Sequence, residues 1–363
     1  MSTLVEDTTA LVDHKGVTLA TAFGASVYKD VKRVGLFLDA ICGDAQANAP
    51  LERASDGAVA FLESLAIEPV FDGEHFGTAR RSASRWAGSP EQRAQHLINL
   101  IEREHVDAIW PLFGKSGGSL VIDCIEQRRY TPTRAVHFIG AFSQQSDWGL
   151  FAAHKGDGYF ASVLNATQIG YEHVVPAAQF GNFKSLFRSG SSLHFPGLKA
   201  IWNGATKHVA GQIIGGNLGV LLSCMGRSWM PSVHNKIVLI EDYDKHVHEL
   251  HRQLDCFYAH LLANGAAAVV LGSLLTPRPE QYAQLTREDR RLQLRRDQSE
   301  LEEAVAEVAR RYRIPTFATD PGLWGHGAVN LPLFLNSPVS LERTQENQYT
   351  LINSAGTSHA KHD

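Results

Sequence analysis

Short apolar runs alternate with amphipathic helical segments through the first half of this chain, and that alternation limits the folds open to it more than any other feature. A helical segment from Leu51 to Leu65, with apolar positions at Val59, Leu62 and Leu65, leads into the run Ile67 to Phe71. Ser89-Pro90-Glu91-Gln92 reads as a helix start: a capping serine, proline at the first helical position and an acid in the first turn. The helix it opens carries Leu97, Ile98, Leu100 and Ile101 and stops before Ala108-Ile109-Trp110-Pro111-Leu112. After a Gly/Lys/Ser loop (Gly114 to Ser119), a helix from Leu120 leads to the run Ala135 to Phe142. Val17 to Phe23 is an earlier run of the same kind. Strands separated by helices of this length predict a parallel sheet with helices on both faces. In such sheets function collects at the carboxyl ends of the strands, where Gly114–Ser119 and Phe142–Asp147 fall.

At 363 residues, two domains are expected rather than one core. Residues 155–200, rich in Gly, Ser and Phe, read as containing the interdomain connection, and a second unit begins near Lys199. In that unit Ile213-Ile214-Gly215-Gly216-Asn217-Leu218 is expected to open a helix ending near Met225-Gly226. Lys236 to Ile240 reads as a strand running into Glu241-Asp242. The next helix has Val247, Leu250, Leu254, Phe257 and Leu261 on one stripe and Gly265 at its end, followed by the buried strand Val269 to Gly272. Thr286 to Glu303, dense in charges of both signs, predicts an exposed helix. A strand is expected from Ile314 to Thr319, and the segment after Leu341 reads as a polar tail. The domain boundaries expected are 1–180, 181–341 and a tail of 342–363.

Composition excludes several classes. A net charge of −4 gives no electrostatic case for nucleic acid or an anionic membrane. No apolar run reaches the length of a membrane span, and Met1 to His14 lacks the pattern of a secretory signal. Four scattered cysteines (Cys42, Cys124, Cys224 and Cys256) without a CxxC pair read as thiols of a reducing compartment, so a cytoplasmic location is expected.

The candidate chemistry begins with Gly325-His326-Gly327. A histidine between two glycines, on a loop after a strand, is either a catalytic group presented by a tight turn or a loop histidine with no further role. Glu241 ends an apolar strand, where a carboxylate needs a partner, or else caps a turn with Asp242. Ser143 and Ser146, in Gly140-Ala141-Phe142-Ser143-Gln144-Gln145-Ser146-Asp147, are candidate nucleophiles or caps of a helix beginning near Asp147. His246, His248 and His251 lack the spacing of a His-Glu-x-x-His zinc site and read as a solvent face. The Gly114 loop lacks the spacing of a Walker phosphate loop.

The order of these segments resembles the LD-carboxypeptidase family of serine peptidases, which includes the microcin C immunity peptidases. The resemblance spans roughly Val17 to Leu333 and rests on Gly88-Ser89-Pro90-Glu91-Gln92-Arg93-Ala94, Ala108-Ile109-Trp110, Gly215-Gly216-Asn217-Leu218, Ile237-Val238-Leu239-Ile240-Glu241-Asp242, Gly325-His326-Gly327 and Leu331-Pro332-Leu333. It implies an α/β fold: an N-terminal parallel-sheet (flavodoxin-like) domain, a smaller C-terminal α/β domain and an active site between them. It also implies a Ser-His-Glu triad, with His326 as base and Glu241 as acid. The family's Gly-aromatic-Ser-Asp-x-Thr elbow aligns Ser143 with the nucleophile and puts Gln144 in place of the aspartate. A gapped match makes Ser146 the alternative. The family's glycine-rich loop corresponds to Phe113-Gly114-Lys115-Ser116-Gly117, whose amides, at Gly114 or Lys115, would hold an oxyanion. Trp202 is a candidate aromatic for substrate stacking. The implied activity is amide cleavage near the carboxyl end of a small peptide-like substrate, muropeptide or peptidyl-nucleotide, by a homodimer needing no metal or organic cofactor. The departures at the elbow and loop leave open a specialised acyltransferase or hydrolase of the same fold, or a catalytically silent relative that binds a peptide or partner.

Overall fold

The computed structural model describes residues 5–6, 30–38, 48–71, 88–112, 117–140, 143–156, 159–163, 185–188, 190–204, 206–274, 285–319, 322–326 and 331–355. The expected strand at Val17 to Phe23 and the loop residues Gly114, Lys115 and Ser116 lie outside them. The first half runs β1 (Val5–Glu6), β2 (Arg33–Phe37), α1 (Asn48–Ser64), β3 (Glu68–Phe71), α2 (Pro90–Glu102), β4 (Ala108–Pro111), α3 (Gly118–Gln127), β5 (Val136–Gly140), α4 (Gln144–Lys155) and β6 (Tyr159–Val163). The second half runs β7 (Ser192–Trp202), β8 (His208–Asn217), α5 (Leu218–Cys224), β9 (Ile237–Glu241), α6 (Val247–Ala263), β10 (Ala268–Leu271), α7 (Arg287–Tyr312), β11 (Thr316–Ala318), β12 (Leu333–Leu335), β13 (Ser337–Gln345) and β14 (Gln348–Ser354).

Two sheets result. The first has the order β12-β6-β5-β4-β2-β3, parallel from β3 through β6. Its five parallel strands follow the 2-1-3-4-5 order of a flavodoxin-like sheet. β4 and β5 are buried at every position, as continuous apolar strands covered on both faces must be. The helix α2 starts as its sequence demands, with a capping box between Ser89 and Gln92 and Pro90 in the first turn. α4 is fixed by Trp148, fully buried and stacked on Phe138 of β5 at 4.9 Å between ring centroids. The antiparallel edge strand β12 returns from the far end of the chain to pair with β6.

The second sheet differs from the smaller α/β domain expected. Strands β8, β9, β10 and β11 are parallel, and β13, β14 and β7 pair antiparallel around the remaining arc. Because β7 pairs with both β14 and β11, the sheet closes into a barrel, with β1 added on β7. Closure depends on residues that read as the start of a polar tail. β14 alternates buried and outward positions, with Tyr349, Leu351 and Asn353 inward, so half of its residues face water and hide the period. Asn347, at φ 56°, makes the tight turn between β13 and β14. Inside, Asn353 accepts from the Phe334 amide (2.8 Å) and donates to Phe334 O (3.1 Å) and Ser337 Oγ (2.9 Å), joining β14 to the corner between β12 and β13.

Three other boundaries move. Ile213 to Asn217 continue β8 rather than opening a helix, because Ile213 and Ile214 pair with Ile237 and Val238 of β9. The second unit's first strand begins at Ser192, ahead of Lys199. α4 starts at Gln144, three residues before Asp147, which places Ser146 and Asp147 inside its first turn. The α6 stripe is as read, with Leu250, Leu254, Phe257 and Leu261 buried and Gly265 at φ +68° beyond the Asn264 cap.

The two sheets meet along α4, α5 and β8. A Cβ on Gly216, at φ +144°, would lie 2.1 Å from Ser146 Oγ, so glycine alone permits this approach. The Asn217 amide donates to Ser146 Oγ (2.8 Å), Cys224 Sγ donates to Asp147 Oδ1 (3.2 Å), and Trp229 Nε1 donates to Asp123 Oδ1 (2.8 Å) beside an Arg227–Asp123 ion pair.

In the parallel sheet, His137 of β5 bonds Ser162 Oγ of β6 over 2.6 Å with both side chains buried. Burial pushes this imidazole down to about 3. Between its ordinary value and pH 3 the unfolded chain takes up a proton that the folded chain refuses. This group therefore costs the fold about 1.4 kcal/mol per pH unit as pH falls through that window. His137→Gln removes the term: its melting temperature is expected to lie below wild type at pH 8 and to converge on it toward pH 4. Parallel curves in a pH series of thermal melts would contradict this.

Candidate active site

Glu241 and His326, far apart in sequence, are brought into contact at the carboxyl end of β9. Glu241 is the last residue of the strand and is fully buried. His326 lies on the loop after β11, and its Nδ1 donates to Glu241 Oε2 over 2.7 Å. Burial pushes the Glu241 carboxyl above its ordinary value, while the hydrogen bond and charge of His326 pull it back. Burial also opposes a charged His326, but the hydrogen bond and charge of Glu241, with the charge of Asp242, outweigh it and raise the imidazole above its ordinary value. The pair is thus a carboxylate-backed base with its Nδ1–H oriented.

Backbone packing explains why glycine precedes this histidine. At Gly325 (φ +106°) a Cβ would sit 2.7 Å from Glu241 Oε2. At Gly272 it would sit 2.4 Å from Trp324 O and 3.1 Å from Glu241 Cβ. The main chain thus closes over the carboxylate from two sides, and the Ser273 amide donates to Trp324 O (2.7 Å) to hold the loop there. Gly327 lies outside the described residues.

Asp242, also buried, is an anchor rather than a turn cap paired with Glu241. It accepts from the Tyr243 amide (2.7 Å), Asn217 Nδ2 (3.1 Å) and the Gly219 amide (3.2 Å). Asn217 stands opposite Glu241 in the β8–β9 register, and its Oδ1 caps α5 by accepting from the Val220 amide (3.2 Å). Tyr243 stacks on the His326 ring, with centroids 4.9 Å apart and planes at 24°.

Ser143 occupies the turn between β5 and α4 with φ 71° and ψ −105°, a conformation that costs a non-glycine residue about 1–3 kcal/mol. It makes no side-chain cap to α4. The strain is held in place just downstream. Buried Gln145 donates through Nε2 to Phe138 O (2.8 Å) and Ser162 O (2.9 Å), tying the first turn of α4 to β5 and β6. Ser146, 1% exposed, has its hydroxyl occupied by the Asn217 amide. Burial pushes Asp147 up to about 6 against its contact with Cys224. A short path therefore joins the serine turn to the acid: Ser146 N donates to Ser143 O (2.9 Å), Ser146 Oγ accepts from Asn217, and Asn217 pairs with Glu241.

Gln144 is the first residue of α4. Trp202 is not brought to this end of the barrel. It pairs with Thr316, which pairs with Val269 and through it with Val238, three residues before Glu241. At ~3.3 Å per residue that is about 10 Å toward the opposite rim, where the Trp202 ring packs over Gly204. His246 and His248 stack on each other at 5.7 Å on the exposed start of α6. Among the described residues no group of three or more His, Cys, Asp or Glu side chains could hold a metal, and no helix is long and apolar enough to cross a membrane. Sequence reasoning missed Gln145, Asn217 as a hub, and Tyr243. An asparagine just before an apolar helix is a readable cap signal, whereas nothing local marks Gln145 or Tyr243.

The chain matches the LD-carboxypeptidase N-terminal domain over residues 40–143 and the LD-carboxypeptidase C-terminal domain over residues 210–341. It is 24% identical over 216 residues to a probable murein peptide carboxypeptidase of Bacillus subtilis (strain 168), a match covering 58% of this chain and 64% of that protein, just under two thirds of its length. Its fold is similar to that of muramoyltetrapeptide carboxypeptidase from Oxalobacter formigenes, with a TM-score of 0.64, 18% identity, and coverage of 89% of this chain and 99% of that one. It is also similar to the microcin C7 self-immunity protein MccF in complex with aspartyl sulfamoyl adenosine, with a TM-score of 0.64, 16% identity, and coverage of 93% and 100%. With matches to both of its domains, on the segments that carry the serine turn and the acid–base pair, this chain belongs to the LD-carboxypeptidase family.

Proposed function

We propose that this chain is a serine carboxypeptidase that cleaves an amide bond near the carboxyl end of a small peptide-like substrate through an acyl-enzyme. Ser143 Oγ attacks the carbonyl carbon while the far nitrogen of His326 takes its proton. Glu241 holds the Nδ1–H and stabilises the imidazolium that forms. The imidazolium then protonates the leaving amine, the C–N bond breaks, and water deprotonated by the same histidine hydrolyses the Ser143 ester. The loop at Gly114 and Lys115 is the expected source of amides for the oxyanion. The observation that carries this reading is the strained φ of Ser143 at a strand-to-helix turn, on the unit facing a buried carboxylate–imidazole pair. A relative that merely binds has no use for that strain.

Ser146 is unsuited to attack, because its hydroxyl is buried and bonded to the Asn217 amide. The substrate class is bracketed by the relatives' names: a murein peptide on one side, an aminoacyl sulfamoyl nucleoside on the other. Cleavage of muropeptides with a free carboxyl end, or of peptidyl-nucleotides, fits both. Free thiols at Cys124, Cys224 and Cys256 fit a reducing, cytoplasmic setting. A homodimer is the assembly expected, and sedimentation velocity returning a monomer mass at micromolar concentration would refute it.

A fluorophosphonate probe tests the nucleophile. Wild type and Ser146→Ala are expected to label and Ser143→Ala to remain blank; labelling of Ser143→Ala would overturn the assignment. In turnover, Ser143→Ala is expected to lose at least about a thousandfold in kcat.

The pH profile follows from the raised His326. Since the base must be neutral, kcat/KM is expected to fall as pH drops through a midpoint above 6.5. In Glu241→Gln the carboxylate charge is gone, so the midpoint should move to lower pH while the plateau falls by orders of magnitude. An unmoved midpoint would exclude Glu241 as the partner.

Gly325→Ala should reduce kcat by about a hundredfold or more and also lower the melting temperature, since the new Cβ strains the positive φ and displaces the buried carboxylate. Wild-type kcat in this variant would mean that the Glu241–His326 geometry is not used.

A further inference from the structure

We propose that Tyr243 is a positioning residue for His326: its ring holds the imidazole in the plane that keeps Nδ1 on Glu241 and turns the far nitrogen toward the reacting atoms. This rests on the catalytic reading of His326 given above and adds a residue to it. A hydrogen bond at one corner of a ring leaves the ring able to swing about the N–O line. A flat surface against its face removes that freedom. Tyr243 supplies such a surface, 4.9 Å between centroids and 24° between planes.

The tyrosine is itself rigidly mounted. Its amide donates to Asp242 Oδ1 over 2.7 Å, and that carboxylate is held by Asn217 Nδ2 and the Gly219 amide. The platform therefore shares its foundation with the acid two residues away: Asn217 braces Asp242 by its side chain and Glu241 by strand register. Tyr243 is half-buried, with its face against the imidazole.

The stack also acts on charge. An aromatic face is the negative end of a quadrupole and favours a cation placed against it. Among the described residues the charged groups facing His326 are Glu241, the last residue of β9, and Asp242, the next one. Tyr243 adds to them a neutral group that stabilises the imidazolium without competing for its proton. The phenol hydroxyl has no part in this, so phenylalanine should serve as well as tyrosine.

The experiment reads the histidine directly and then turnover. The His326 imidazole is titrated by NMR in the full chain without substrate, its signals assigned by their loss in His326→Gln. Tyr243→Phe is expected to titrate as wild type, and Tyr243→Ala and Tyr243→Leu to titrate about 0.3–1 pH unit lower, with broader ring signals. Kinetically, Tyr243→Ala and Tyr243→Leu should lose about tenfold in kcat with KM within about twofold, and the acid limb of kcat/KM should move with the NMR midpoint. Tyr243→Leu keeps the site filled should alanine loosen the loop, and thermal melts report on that separately. An unshifted midpoint in both variants, a phenylalanine variant as poor as alanine, or a loss confined to KM would each overturn the proposal. Because the titration needs no substrate, a shifted midpoint in a protein without peptidase activity would refute the catalytic reading while leaving the stack's effect on His326 intact.

Discussion

A carboxylate with no contact to water organises this molecule. Burying Glu241 costs several kcal/mol unless a cation or hydrogen-bond donor meets it, and the chain brings one from 85 positions away. Much of the second unit is arranged around that meeting. β9 ends on the acid, two glycines let the main chain close on it, and the loop after β11 is pinned by the Ser273–Trp324 bond so that His326 arrives at the right corner. The interaction also has a chemical effect. A buried acid and a half-buried base share one hydrogen bond in low dielectric, so the imidazole gains affinity for a proton.

The first unit contributes strain instead of charge. Ser143 sits where an L-residue is disfavoured, and the cost is met by contacts of its neighbours, with Gln145 clamped to β5 and β6 and Trp148 stacked in the core. Ser143, Gln145, Ser146 and Asp147 therefore divide the work. One is exposed to strain, one clamps to its own sheet, and Ser146 and Asp147 reach across to the other unit.

Much of this was legible. The parallel sheet was visible because its strands are continuous apolar runs with readable helix starts between them, and Glu241 and His326 were visible because an acid ending an apolar strand and a histidine preceded by glycine are both unusual. The barrel was not legible. Its closing strands put polar residues on alternate positions, and an edge that faces water looks like a tail until its partners are known. Asn217 and Gln145 escaped for a related reason: their importance comes from backbone groups they meet in three dimensions, and amide side chains carry no sign of that. Ser143 could be ranked above Ser146 by its distance from a strand end, but its positive φ has no local signature, since serine is not a residue that seeks it. Closeness in sequence to the Gly-Gly-Asn segment makes Trp202 a candidate but says nothing about which rim of a barrel a residue occupies.

The contact between Ser146 and the Gly216-Asn217 backbone has a mechanical consequence. In a site split between two bodies, any relative rotation is multiplied by the distance from the pivot to the reacting atom. About this contact, less than one helical turn from Ser143 and so a lever of roughly 5 Å, a rotation of about 5° would move the Ser143 hydroxyl by about 0.5 Å. That is about the looseness a catalytic constellation can tolerate. Because the two units touch so near Ser143, a small rotation about this contact would shift that turn little relative to the end of β9 that carries Glu241.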